Sequence, residues 1–199
     1  MIKKTSKAIK IIQINSTQLS EYAKIPISFN VRSEFNINLA ENNLDDTRLK
    51  EIKVKSYLKN YDKLEGKKPT DWIKRFNISK WGLFLAYDNK IPIAGAVVAF
   101  NTPGVRILEG KNNLAVLWDL RIHPSYRGSG LGTKLFQKTI DWAKSKDCIR
   151  LKIETQNTNV PACKFYKKQG CRLGDVYLNK HLNKIKNKNE ITLIWYLDL

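Results

Sequence analysis

The segment from His123 to Lys134 reads His-Pro-Ser-Tyr-Arg-Gly-Ser-Gly-Leu-Gly-Thr-Lys, and its three alternate glycines are the first feature that could do chemistry. An apolar run that predicts a strand precedes it, and a stripe of apolar residues that predicts a helix follows it. Glycine permits a tight turn at such a junction, and the first turn of a helix leaves amide groups unpaired at the positive end of its dipole. The segment therefore predicts a binding site for a pyrophosphate group.

The spacing excludes three better-known motifs. No Gly-Lys-Ser/Thr closes a run of the length that a P-loop requires, and Thr133 stands where the dinucleotide fingerprint has its third glycine. Ser129 has Arg127 two residues before it, where a nucleophile elbow has glycine. For the glycines alone, a purely structural turn stays open as an alternative.

A second polar segment follows another predicted strand and runs from Ile153 to Gly170. Asn159 is placed to cap a helix that ends near Gly170, and Tyr166 lies within that helix. Cys163 lies close to Tyr166, but no His partner in the sequence marks it as a nucleophile. The chain thus contains two strand-to-helix junctions with polar residues at each.

Together the two segments resemble the GNAT superfamily of N-acetyltransferases. The superfamily's acyl-CoA signature is Arg or Gln, two residues, Gly, one residue, and Gly or Ala, and its second signature is Asn, Ala, Tyr and Gly in the next helix. The residues that match the two signatures are Arg127, Gly130, Gly132, Asn159, Ala162, Tyr166 and Gly170. The match covers residues 114–174, and within the superfamily the chain is most similar to the streptothricin acetyltransferase branch.

The resemblance implies acetyl-CoA as the acetyl donor. The glycine loop would hold the pyrophosphate, and a strand backbone would pair with the pantetheine arm. The implied acetyl-CoA-binding residues are Leu120, Ile122, Arg127, Gly128, Ser129, Gly130, Gly132, Thr133 and Asn159. No metal is implied, and two His with no paired Cys spacing leave almost no ligands for structural zinc.

The resemblance also implies the acid–base groups. Tyr166 matches the general acid, since a phenol with a reference pKa near 10 is suited to reprotonate a leaving thiolate; a core aromatic residue is the alternative. Asp119 and Glu154 are the candidates for the base that deprotonates the amine, and for each an ion pair with a nearby Lys or Arg is equally open. His123 precedes Pro124 and is interpreted as a turn residue.

Acceptor recognition is expected from residues 28–61 and 175–181. Glu34, Asp119 and Tyr177 are the candidate substrate-binding residues, and Tyr177 stands where the streptothricin branch usually has Asp. An acid-rich patch could recognise a cationic amine, with a solvated loop as the alternative; its members are Glu34, Glu41, Asp45 and Asp46.

The leading hypothesis is an N-acetyltransferase that moves the acetyl group of acetyl-CoA directly to a primary amine of a small molecule. A streptothricin-like or other aminated antibiotic would fit, which would make the protein a resistance factor. One alternative is acetylation of a protein or peptide amine. The other is a non-catalytic module that binds CoA or nucleic acid.

The elements around these segments predict an α+β fold: a single GNAT-like domain with a central mixed, mostly antiparallel sheet flanked by helices. Residues 1–80 would form an N-terminal, acceptor-side part, and residues 81–199 the acetyl-CoA-binding core. Predicted strands cover 8–14, 81–87, 91–100, 105–109, 114–122, 149–155, 172–178 and 190–197. Predicted helices cover 18–24, after a Ser16 or Thr17 cap, then 130–146 and 159–170, and residues 42–68 are interpreted as short helices and loops.

The amino-acid composition argues against nucleic acid and membranes as partners. The 199 residues include 36 Lys and Arg against 18 Asp and Glu, a formal charge of +18. Because 28 of the 36 are Lys rather than Arg, a solvated surface is favoured over a nucleic-acid interface. No apolar run reaches the roughly 18 residues of a membrane helix, and no signal core is visible. Three sparse Cys suit a reducing cytoplasm, where we expect the protein. Because members of the resembling family are often dimers, a homodimer is the assembly that the resemblance allows.

Overall fold

The computed structural model describes residues 9–37, 49–178 and 190–199. The strands are β1 (Lys10–Ile14), β2 (Phe29–Ile37), β3 (Leu49–Lys59), β4 (Gly82–Asp88), β5 (Ile91–Phe100), β6 (Leu114–Ile122), β7 (Arg150–Gln156), β8 (Arg172–Leu178) and β9 (Ile191–Asp198). The helices are α1 (Leu19–Tyr22), α2 (Trp72–Arg75), α3 (Leu131–Lys144) and α4 (Val160–Lys168). The chain divides into two compact units, the first Met1–Ile27 with Asn60–Cys148, the second Ser28–Lys59 with Ile149–Leu199.

The first unit is built on four antiparallel strands in the order β1-β4-β5-β6. The Asn89-Lys90 turn joins β4 to β5, and Asn89 takes a φ of 56° that asparagine tolerates better than most residues. Buried residues from β1, β4, β5 and β6 pack against the short helices α1 and α2, while α3 packs on β4, β5 and β6. Every strand of this unit follows the apolar pattern of the sequence.

A β-bulge interrupts β6 in the middle of the strand. Val97 lies opposite Asp119, whereas Val98 lies opposite Leu117, so Trp118 is the extra residue. Its indole joins an aromatic cluster in which its ring centroid lies 5.1 Å from that of Trp81. The other members of this cluster are Trp72 and Phe76. The bulge therefore turns two consecutive residues, Trp118 and Asp119, toward side chains of the same packed layer.

The second unit contains an antiparallel sheet in the order β7-β9-β8 and a separate hairpin of β2 and β3. The buried residue Asn157, just after β7, joins these parts. Its backbone pairs with Phe35 N and Ile191 O, and its side chain pairs with Phe35 O at 3.1 Å and Ile191 N at 3.0 Å. Because all four groups are satisfied by β2 and β9, Asn157 ties the hairpin to the sheet of this unit.

The predicted α+β class is confirmed, and so are the β4–β5 hairpin and the bounds of β6 and β8. Three local predictions are wrong. Residues 49–59 form a strand rather than short helices and loops. The short alternation Ile52-Lys53-Val54-Lys55 is the strand signal in this segment, although most of the β3 side chains are exposed. Residues 106–108 form a 3-10 turn rather than a strand, since left-handed residues at Glu109 and Gly110 end it. The first helical cap is Asn15, with a capping box to Gln18, rather than Ser16 or Thr17.

The predicted single domain with a division near residue 80 stays a prediction. In the parts of the chain described here, no helix has the length and apolar character to cross a membrane.

Candidate functional site

The segment after β6 is held as a rigid turn. Pro124–Tyr126 forms a 3-10 turn, and His123 Nδ1 accepts a hydrogen bond from the Ser125 amide at 3.3 Å. The Tyr126 hydroxyl donates to Asp88 Oδ2 at 2.7 Å, which fastens the turn to the end of β4. These contacts confirm His123 as a turn residue.

The glycines next in the chain form an open cradle at the start of α3. Gly128 and Gly130 each have a φ of 81°, and a methyl group placed on either would meet no heavy atom within 4 Å. Gly130 caps α3 without a side-chain hydrogen bond, and the first turn of that helix carries no acidic residue. The positive end of the helix dipole therefore faces open space with no carboxylate in the first turn of α3 to neutralise it, an arrangement suited to an anion.

A cation and a backbone edge adjoin this cradle. Arg127 Nε donates to the Ile122 carbonyl at 3.1 Å, and partial burial lowers the pKa of Arg127. The His123 amide donates to the Ile93 carbonyl at 2.8 Å, and hydrogen-bonded pairs alternate with non-bonded pairs along an antiparallel ladder. The backbone N–H and C=O groups of Leu120 and Ile122 therefore point away from β5. They form a row of polar groups next to the loop, and the Ile122 carbonyl in that row is the one that accepts from Arg127.

Asp119 lies in a buried polar network of the first unit. Its Oδ1 accepts from the Tyr22 hydroxyl at 2.6 Å and from Arg121 Nε at 2.9 Å, and its Oδ2 accepts from Arg121 Nη2 at 2.7 Å. Arg121, whose side chain is 1% exposed, also reaches the Ile25 carbonyl and the Asp62 carboxylate. Of the two roles predicted for Asp119, the ion pair is the one that these contacts form, and its role as a base stays a prediction.

The charges of this network reinforce one another. Burial raises the pKa of Tyr22 well above its ordinary value, and the neighbouring Asp119 charge raises it further. For Arg121 burial acts to lower the pKa, but the Asp119 carboxylate outweighs it, so that the pKa of Arg121 is raised. The phenol therefore stays protonated and the guanidinium charged at every physiological pH.

The second unit carries the other predicted acid–base and pantetheine-contacting residues. Asn159 caps α4, its side chain accepting from the Ala162 amide at 3.3 Å, as predicted. Tyr166 is buried in the same helix, with its ring centroid 5.2 Å from that of Phe165. Glu154 is exposed on β7, and its Oε1 accepts from Gln156 Nε2 at 3.4 Å. The catalytic roles of Tyr166 and Glu154 stay predictions.

An acidic and aromatic group surrounds Tyr57 on β3. Burial raises the pKa of Tyr57, and the charges of Glu190 and then Glu34 add to the rise. Lys59 pairs with both Thr158 and Glu190, and burial lowers its pKa despite the Glu190 carboxylate. Glu34 thus has a second acid near it that the sequence did not single out, because Glu190 is far from it along the chain.

The remaining acceptor-side predictions fall elsewhere. Tyr177 on β8 is 53% exposed. Glu41, Asp45 and Asp46 lie outside the described residues. Tyr22, Asp62 and Arg121 were missed in the sequence, although the placement of Arg121 two residues after Asp119 on one strand face is a signal that could have found the pair.

The three cysteines are buried and free. Burial raises the pKa of Cys163 to about 11, with its thiol 3.4 Å from Thr155 Oγ1, so it is no activated nucleophile at neutral pH. In the portion of the chain that the structure describes, no group of three His, Cys, Asp or Glu side chains could hold a metal ion.

Three features together define a class of protein. They are the open glycine cradle at the start of α3, the β6 polar groups that point away from β5, and the Asn159 cap of α4. The profile of the Acetyltransferase (GNAT) family matches residues 47–171, more than half of the chain, and the chain belongs to that family. The resemblance seen in the sequence is thereby confirmed.

Two curated relatives within the family are streptothricin acetyltransferases. Streptothricin acetyltransferase A of Bacillus subtilis (strain 168) is 36% identical over 92 residues, which are 46% of this chain and 53% of that protein. Streptothricin acetyltransferase of Escherichia coli is 33% identical over 85 residues, 43% of this chain and 49% of that protein. The chain spans about half the length of these curated relatives.

A solved structure extends the similarity to the whole fold. It is the 1.6 Å crystal structure of a protein assigned as a streptothricin acetyltransferase from Bacillus anthracis str. Ames, in complex with acetyl coenzyme A. The alignment covers 96% of this chain and all of that chain, with a TM-score of 0.74 and 25% sequence identity.

Proposed function

We propose that the protein is an acetyl-CoA-dependent N-acetyltransferase that acts on a primary amine of a small molecule, with a streptothricin-like polycation as the leading acceptor. One observation carries the proposal: the backbone groups of Leu120 and Ile122 that point away from β5 are followed in the chain by an open helix start, where the Gly130 cap makes no side-chain hydrogen bond. A long donor with amide groups at one end and phosphates at the other fits this arrangement, since its amides would pair with the β6 backbone and its phosphates would lie at the start of α3.

The donor would be held by main-chain groups more than by side chains. The amides at Gly128, Gly130 and Gly132 would surround the pyrophosphate with the α3 dipole behind them. Arg127 and Ser129 belong to the loop before α3 and Thr133 to the first turn of that helix, and Arg127 adds a positive charge. Leu120 and Ile122 would pair with the amide groups of pantetheine as a neighbouring strand does, and Asn159 is the further residue that the family resemblance assigns to the arm.

Two proton transfers complete the reaction, in which the acceptor nitrogen forms a bond to the acetyl carbon and the bond from that carbon to sulfur breaks. The acceptor ammonium first loses a proton, and Glu154 is the candidate base because it is exposed on β7, whereas both Asp119 oxygens are engaged. Tyr166 would give its phenolic proton to the leaving thiolate. A backbone amide of β6 would stabilise the developing oxyanion.

The acceptor is argued from charge. The charges of Glu190 and Glu34 both act on the Tyr57 phenol, with Glu190 also paired to Lys59, and Tyr177 is exposed on β8 in the sequence region predicted to contact acceptor. Carboxylates and aromatic faces are the groups that recognise ammonium ions. The streptothricin acetyltransferases among the relatives support an acceptor of this class. The reducing cytoplasm is the proposed compartment, since the three thiols are free.

Thiol release from acetyl-CoA tests the proposal. Purified protein is assayed at one salt concentration against streptothricin, aminoglycosides, polyamines and peptide N-termini, with hydrolysis in the absence of amine as the blank. Turnover of streptothricin or another small amine is the expected result. Turnover of peptides alone would move the function to protein modification, and no thiol release above the blank with any amine would overturn it.

A pair of tyrosine variants tests the general acid. Tyr166→Phe is expected to lower kcat about 100-fold or more, the contribution of a positioned general acid, while leaving CoA affinity near wild type. Tyr196→Phe is the matched control, because it removes a hydroxyl that donates to Asp175 within the same unit. Equal kcat values in the two variants would remove Tyr166 from the mechanism.

A further inference from the structure

The buried network around Arg121 is more elaborate than the packing of a strand requires. Its guanidinium uses all five N–H donors. Nε and Nη2 each donate to the Asp119 carboxylate, and Nη1 and Nη2 each donate to the Asp62 carboxylate. The second Nη1 hydrogen goes to the Ile25 carbonyl. Tyr22 completes it by donating to Asp119. A guanidinium with every donor engaged and 1% exposure has no alternative position.

The network is anchored to three segments of the first unit. Tyr22 ends α1, Ile25 lies just beyond that helix, and Asp62 belongs to the short 3-10 turn 61–63. The Tyr22 ring lies against β5 itself, where a methyl group on Gly95 would be 2.3 Å from the ring. Arg121 lies opposite Gly95 in the ladder, with its guanidinium carbon 5.2 Å from the ring centroid. The guanidinium and phenol are thus clamped over the β5–β6 pair.

The Asp119–Arg121 ion pair restricts the backbone of β6 at Leu120. Asp119 and Arg121 are two residues apart, and their side chains meet in a bidentate ion pair across Leu120. Such a pair holds the peptide groups on both sides of Leu120 in one orientation. It begins directly after the Trp118 bulge, where the strand would otherwise be least regular.

We propose that Tyr22, Asp62 and Arg121 are positioning residues of the acyl-donor site, which orient the Leu120 and Ile122 amides toward the pantetheine arm through the Asp119–Arg121 pair. This inference rests on the proposed function, because it takes acetyl-CoA as the ligand of β6. None of the three residues needs to touch the donor. Their effect is transmitted by the strand backbone, whose polar groups at Leu120 and Ile122 point away from β5.

Two mild variants test the proposal. Tyr22→Phe keeps the ring against Gly95 and removes only the bond to Asp119, and Asp62→Asn weakens the outer end of the clamp, where the side chain is 21% exposed. Thr102→Val is the control, because it removes a buried bond from Trp81 Nε1 in the same unit and leaves every hydrogen bond of the Asp119–Arg121 pair in place. Thermal unfolding, CoA affinity by calorimetry, steady-state kinetics and amide hydrogen exchange are measured for all four proteins.

Both test variants are expected to lower kcat/KM for acetyl-CoA about 10–100-fold, as small misplacements of a reacting group do, with KM for the amine unchanged. CoA should protect the Leu120 and Ile122 amides from exchange in wild type and in Thr102→Val, and protect them less in the two variants. Variants that match Thr102→Val in kinetics and in exchange, differing from wild type only in melting temperature, would overturn the inference.

The exchange readout separates this inference from the proposed function. If no amine is acetylated by wild type, the proposed function has failed. The positioning role of the Arg121 network is then still tested by whether CoA protects the Leu120 and Ile122 amides from exchange. CoA-dependent protection of Leu120 and Ile122 that falls in Tyr22→Phe would uphold it. Protection that is absent in wild type, or equal in wild type and Tyr22→Phe, would refute it.

Discussion

Substituting Gly130 by Ala separates the folding cost of the glycine cradle from its binding role. Gly130 has a φ of 81° and no heavy atom within 4 Å of an added methyl group, so the change introduces backbone strain without a clash. An L-residue in the left-handed region costs about 1–2 kcal/mol. For a chain of this size that strain lowers Tm by about 2–8 °C.

The effect on binding should be larger than the effect on folding. The added methyl group points into the open space where the proposed pyrophosphate lies, and it would displace the phosphate from at least one amide. A hydrogen bond to a charged group contributes about 1.5–3 kcal/mol, which corresponds to CoA binding roughly 10–100-fold weaker. Titration calorimetry with CoA, performed well below both melting temperatures, measures this loss.

Gly104→Ala is the matched control. Gly104 has a φ of 82°, it too has no heavy atom within 4 Å of an added methyl group, and it lies in a turn away from the cradle. It should lower Tm by the same few degrees and leave CoA affinity unchanged. Wild-type affinity in Gly130→Ala, or an equal loss in Gly104→Ala, would refute the assignment of this loop to phosphate binding.

Two further predictions concern the second unit. Burial raises the pKa of Cys163 to about 11, whereas an unfolded thiol titrates near 8.5; the unfolded state therefore loses its proton first, and the free energy of unfolding should fall as pH rises between those values. Urea unfolding at several pH values measures this fall, which Cys163→Ala should reduce, and an unchanged slope in that variant would contradict the reasoning. Asn157→Ala should cost about 1–3 kcal/mol by leaving Phe35 O and Ile191 N without their side-chain partner. Chemical denaturation measures that cost, and a loss below 0.5 kcal/mol, the usual range for surface changes, would show that Asn157 does not fix the hairpin.

The sequence predicts those elements whose burial leaves a periodic pattern. The β4–β5 hairpin and β6 are apolar runs bounded by turn residues, and α3 has an apolar stripe after a glycine turn, so each is confirmed nearly to the residue. β3 alternates apolar and polar residues only over positions 52–55, because most of its side chains are exposed, and it is held by pairing with β2. Pairing partners distant in the chain leave no local signal.

In the candidate site, too, some features could be predicted from the sequence and others could not. The loop at Arg127 and the cap at Asn159 depend on local backbone geometry, which glycine and asparagine indicate directly. The Arg121 network depends on side chains that come from three distant segments, Tyr22 and Asp62 among them. The Trp118 bulge that precedes it is a mismatch between two strands, and the sequence of one strand cannot reveal a mismatch with another.

The contact between Gly95 and Tyr22 constrains how the chain can evolve. The phenol ring occupies the volume that any other side chain at position 95 would need, and the hydroxyl of the same ring is committed to Asp119. A larger residue at 95 would therefore require a smaller one at 22, and that exchange would also remove the hydroxyl partner of a carboxylate on β6. Substitutions that change side-chain volume at positions 22 and 95 should therefore be accepted only as compensating pairs, and each such pair would also alter the surroundings of Asp119.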